Sequence, residues 1–143
     1  MRVCNGYVVP LTNCWAYLTL DYKLTDILKP PDGGFSAHIH PEAPLVFRED
    51  RLCWSVHPDN PPAIDIYAGE KQSLLLGCLS PNRDWIGIYS ETCNRPYRVF
   101  LRGGAKCYEG TLKIISKDTI AKEFHVRIDL RDPEFPKNLL VAV

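Results

Sequence analysis

The chain has 143 residues, 45% hydrophobic and 24% charged, with 17 basic against 17 acidic side chains and a formal net charge of zero. That length suits one domain able to bury a core without cross-links. The charge balance argues against a global electrostatic grip on nucleic acid or an anionic membrane, and no apolar run approaches the ~20 residues of a membrane helix.

Twelve prolines and nine glycines punctuate the chain, a density that fits many turns and short strands. Residues 1–6 lack the apolar stretch and small-residue cleavage site of an export signal. The six cysteines are therefore expected to be reduced, mostly small apolar filler, and a cytoplasmic location is expected.

In chain order, residues 3–9 predict a first edge strand and residues 10–13 a turn. Residues 14–22 alternate, with Cys14, Ala16, Leu18 and Leu20 on one face, which predicts a strand. Residues 22–28 are read as its continuation, one helical turn being the other choice. Pro30, Pro31, Asp32, Gly33 and Gly34 end regular structure, and residues 35–50 form the longest irregular stretch and the expected functional loop. Leu52, Trp54 and Val56 share a strand face. A rigid turn follows, then a strand over 63–67. Residues 72–79 are apolar on both faces and predict a central strand, or one facing a neighbouring subunit.

Residues 85–89 and 97–102 predict two further strands. Residues 108–116 and 121–130 predict a hairpin around Lys117, Asp118 and Thr119. In its second arm Phe124, Val126, Ile128 and Leu130 interleave with Glu123, His125, Arg127 and Asp129, a dry face against a wet one. The tail, Leu139 to Val143, is apolar with no wet face and is expected to add a strand to its own sheet or to an identical neighbour. The expected organisation is a single β-sandwich domain over 1–143, with a Pro-rich insertion at 30–50 and the apolar tail at 137–143.

Three stretches resemble immunoglobulin-like β-sandwich modules of the kind found as uncharacterised domains in archaea and bacteria. They are Val3-Cys4-Asn5-Gly6 with Asn13 to Leu18; Ile64 to Glu70 with Leu74-Leu75-Leu76; and Leu101 to Gly104 leading to Tyr108 to Leu112 and Phe124-His125-Val126. The resemblance implies an all-β, immunoglobulin-like antiparallel β-sandwich of about seven to nine strands. It departs from antibody-type domains: Trp54 lies far downstream of Cys14, and Tyr108 follows Cys107 directly instead of preceding a cysteine by two. A Cys14–Cys107 bridge between sheets is left open.

Candidate chemistry is sparse. His38 and His40 project the same way if the segment is extended, and with His57 they are the candidate metal ligands of a cupin-like reading. Glu42 comes too soon and Glu49 too late for the cupin acidic ligand, so no metal and no cofactor is expected. Cys53 with His57 is conceivable as a nucleophile and base, but Cys53 is read as core. Arg98, Phe100 and Arg102 share a strand phase that can clamp and stack a nucleic-acid strand; such a row also serves as a solvated face that discourages edge pairing. No hydrolase, phosphate-loop or dinucleotide motif is present. The preferred reading is a non-catalytic interaction module that binds a protein partner or itself through a sheet edge, the 35–50 loop or the tail. Arg98, Phe100, Arg102, Leu139, Leu140 and Val141 are its candidate contacts. The rivals are the metal-binding protein and the nucleic-acid face.

Overall fold

A computed structural model describes residues 1–28, 50–56, 59, 61–89, 97–135 and 140–142. The described residues form strands and no α-helix, in sheets that are antiparallel but for one pair. The strands are β1 (Arg2–Cys4), β2 (Leu11–Asp21), β3 (Ile27–Leu28), β4 (Asp50–Leu52), β5 (Ala63–Ile66) and β6 (Lys71–Ser73). After them come β7 (Gly77–Leu79), β8 (Trp85–Tyr89), β9 (Tyr97–Arg102), β10 (Cys107–Ser116), β11 (Thr119–Asp129) and β12 (Leu140–Ala142). They build a sheet of order β12-β1-β6, one of order β11-β10-β2-β4 with β5 also on β2, and one of order β3-β9-β8-β7.

The alternation in β2 and β10 sets the core. Cys14, Ala16, Leu18 and Leu20 are buried from β2, and Tyr108, Leu112 and Ile114 from β10, while Val126 and Ile128 close the layer from β11. One buried cluster also takes Val3 from the first sheet and Ile86, Ile88 and Leu101 from the third, as a β-sandwich requires. β10 approaches β2 closely at Gly110, where a Cβ would lie 2.0 Å from the Thr19 carbonyl oxygen; any side chain there would force β10 away from β2.

Strands change sheet at the corners. β4 runs along β2 opposite Ala16 to Leu18. The chain then leaves that edge, and Trp54 bridges to Leu74 beside β6, with Ser55 N–H donating to Ser73 at 2.7 Å and Leu75 N–H to Cys53 at 2.9 Å. It returns as β5 opposite Leu11 to Trp15. Trp54 is fully buried, and its indole N–H donates to the Cys14 carbonyl at 2.9 Å, close to where β5 gives way to β4 along β2. The strand expected over 72–79 breaks in the same way: β6 belongs to the first sheet and β7 to an edge of the third. It is apolar on both faces because it crosses between layers, not because it is central. Such crossings raise the count to twelve strands among the described residues, above the expected seven to nine.

Other expectations shift locally. β1 lies between β12 and β6, not at an edge. Residues 11–13 are strand, with a register shift between Leu11 and Cys14 and Asn13 at φ 50°; the Asn13 N–H is taken by Asp65 at 2.8 Å. Residues 22–28 hold a 3-10 turn, Leu24–Asp26, before β3. Val56 is exposed, because the strand that would have buried it ends at Leu52. The hairpin forms as expected, with Lys117 and Asp118 as its turn.

The end of β11 is held by one side chain. The Arg83 guanidinium donates to the carbonyl oxygens of Leu130 (3.4 Å), Asp132 (2.6 Å), Pro133 (2.9 Å) and Phe135 (3.2 Å). The tail then adds β12 parallel to β1, Leu140 opposite Arg2 and Val141 opposite Val3.

Trp54→Ala is expected to cost about 3–5 kcal/mol through the cavity it leaves. Trp54→Phe retains bulk but strands the Cys14 carbonyl, and should cost about 1–3 kcal/mol. Urea unfolding of both variants checks the order.

Candidate functional site

The best-defined surface feature lies at one end of the large sheet. Asn5 is buried and uses every polar atom. Its amide donates to Val9 at 3.0 Å and Ile66 at 2.8 Å, and its side-chain oxygen accepts from Tyr7 N–H at 2.9 Å. Its backbone exchanges bonds with Glu70 and Gly69. The loop at 5–10 is thereby tied to the turn at 67–70. Leu11 opposes Ile66, Lys117 N–H donates to Thr12 at 3.0 Å, and the Thr12 hydroxyl donates to Asp118, so the hairpin turn joins the same end. Lys122 lies over the Tyr7 ring, 4.6 Å from its centroid.

This end carries Val8 (94% exposed), Val9, Tyr67 and Ile120 (90% exposed), four of the five large hydrophobics exposed among the described residues. A buried asparagine ties down a loop whose tip holds two valines in solvent. Scattered exposed apolar residues are ordinary; here four of them lie on or beside the segments joined at one end.

The opposite end of β10 holds charge. Asp26 is buried and accepts from Lys106 Nζ at 2.8 Å and from Lys23 N–H at 3.1 Å. The Lys106 hydrogen bond holds its carboxyl below the ordinary carboxylate value, against the opposing effect of burial. Tyr108 donates its hydroxyl to the Arg102 carbonyl at 2.5 Å, and burial pushes its pKa up to about 12. On the outer face Asp129 takes hydrogen bonds from Arg131 and Arg127, and Arg131 first holds its carboxyl well down. Arg127 Nε also donates to the Cys107 sulfur at 3.0 Å.

The residues expected to carry function fare unequally. His38, His40, His57 and Leu139 lie outside the described residues, as does the 30–50 insertion except for the backbone of Asp50. Arg98 lies in β9 and Arg102 is exposed at its end. Phe100 corrects the nucleic-acid reading. It is 8% exposed and meets Trp85 edge-to-face, ring centroids 5.3 Å apart. Its ring is buried against Trp85 and offers no open platform for a base. Leu140 and Val141 are backbone partners of β1 in their own chain.

The described cysteines, Cys4, Cys14, Cys53, Cys78 and Cys107, are free thiols. A Cys14–Cys107 bridge is ruled out by topology: β2 and β10 neighbour each other in one sheet, with Cys14 on the core face and Cys107 in the opposite phase. Burial, then Asp65 and Asp118, pushes the Cys14 thiol up to about 11, which keeps it protonated and unreactive. Among the described residues no helix is long and apolar enough to cross a membrane. The chain matches no protein-family model, and no curated protein or solved structure shows significant similarity to it.

The Asp26 carboxyl titrates lower folded than unfolded. Its contribution to stability is therefore complete above the unfolded value of ~3.9 and is lost as pH falls through the folded one. Asp26→Asn should be less stable than wild type near neutrality, and the gap should close below about pH 4. Urea midpoints measured across that range check it.

Proposed function

We propose that this protein is a non-catalytic interaction module, built as an immunoglobulin-like β-sandwich and working in the cytoplasm. The observation that carries the reading is the apolar end formed by Val8, Val9, Tyr67 and Ile120. Three of the four sit on or beside segments that Asn5 ties together. A fully satisfied polar anchor under solvent-exposed valines is what a recognition loop needs: the backbone is ordered before binding, so little entropy is lost on contact. Tyr67 adds a large, stiff surface of the type enriched where proteins meet.

Two details support the immunoglobulin-like build. Tyr108 closes a hydrogen bond to a carbonyl six residues upstream, as the tyrosine corner of such sandwiches does. A buried tryptophan, Trp54, packs into the core against the strand that bears Cys14. Free thiols suit a reducing compartment.

The test is affinity capture from native cells with wild-type protein and with a Val8→Ser, Val9→Ser, Tyr67→Ser variant. The expected result is a partner retained by wild type and lost by the variant at unchanged melting temperature. Identical captured sets from the two proteins would overturn the assignment of this end.

A further inference from the structure

We propose that β11 pairs antiparallel with β11 of a second copy of this chain, about a two-fold axis at His125, joining two sheets into one. The inference rests on the reading of the chain as an interaction module and names the partner as a second copy.

Among the described residues β11 has a neighbour on one side only, β10, and with eleven residues it equals β2 as the longest strand. A strand of that length presents a row of backbone donors and acceptors able to template another strand. The side chains decide which strand fits. Glu123, His125 and Arg127 are exposed on the outer face, while Val126 is buried and Phe124 half-covered on the inner one. Directly opposed residues in an antiparallel pair point to the same side of the sheet. About His125, Glu123 meets Arg127 of the copy, and two-fold symmetry makes that opposite-charge pair twice. On the inner face Phe124 meets Val126 of the copy, continuing the apolar layer across the junction.

Neighbouring registers are worse. Centring on Val126 sets Glu123 opposite Asp129 and His125 opposite Arg127. Centring on Phe124 sets Arg127 opposite Ala121 and leaves no arginine–carboxylate pair. A one-residue slip would set the wet face of one strand against the dry face of the other. Lys122 is the residue that opposes pairing, since an inward charge protects edges. Its ammonium instead sits over the Tyr7 ring of its own chain at 4.6 Å, which draws the charge back from the edge.

Sedimentation equilibrium of the full chain should show a reversible dimer of 16.3 kDa subunits. Glu123→Arg should weaken it by at least about tenfold by facing Arg127 with a like charge, and adding Arg127→Glu should restore it. Because Glu123 also opposes Lys113 within the chain and Arg127 also bonds Asp129 and Cys107, a second variant guards against misfolding. His125→Cys, at an exposed position, should form a disulfide-linked dimer under mild oxidation where wild type does not, since cross-strand Cβ atoms lie about 4.5–5.5 Å apart. A wild-type monomer at every concentration overturns the proposal. So does a dimer that is indifferent to charge reversal and whose His125→Cys form stays uncross-linked. Neither result decides the apolar end, which is tested through Val8, Val9 and Tyr67, all off β11.

Discussion

The architecture depends on Trp54 and the carbonyl of Cys14. The edge of β2 is served by two short strands, β5 opposite Leu11 to Trp15 and β4 opposite Ala16 to Leu18, which an excursion separates in sequence. Near the point where they meet, the Trp54 indole N–H takes the Cys14 carbonyl while its rings lie in the buried core. The excursion that carries Trp54 also reaches β6 through the bridge to Leu74, and β6 in turn supports β1 and, through it, β12. One side chain thus links the large sheet to the sheet that contains both ends of the described chain.

Elsewhere single polar residues do similar work where no regular pairing is available. Arg83 gathers four carbonyl oxygens that follow β11, and Asn5 gathers the loop at 5–10 and the turn at 67–70. Each places a donor fork or an amide where a turn would otherwise leave acceptors bare, and a buried acceptor without a partner is costly. The same economy shapes the surface. A loop anchored by Asn5 can hold Val8 and Val9 in water, and β11, an edge strand among the described residues, has its inward lysine drawn onto Tyr7. On the proposed reading, the first surface would serve a different protein and the second a copy of the same chain.

The sequence by itself determined the strands whose alternation is clean. Cys14 to Leu20, Tyr108 to Ser116 and the second arm of the hairpin were legible because a period of two tells core face from wet face without knowledge of the neighbours. The strand at 140–142 was legible for another reason: leaving an uncharged apolar segment in water forgoes the burial of its surface, and it pairs with β1. Sheet membership was not legible. Residues 72–79 show the same apolar run whether they form one central strand or pass between two sheets, and only the partners distinguish the cases. Phe100 looked outward by phase because phase names a face and not what covers it; Trp85 covers it. Asn5 and Arg83 gave no more signal than a turn-prone asparagine and a loop arginine. Their roles come from acceptors 61 and about 50 residues away in the chain, and long-range acceptors of that kind are decided by the tertiary structure alone.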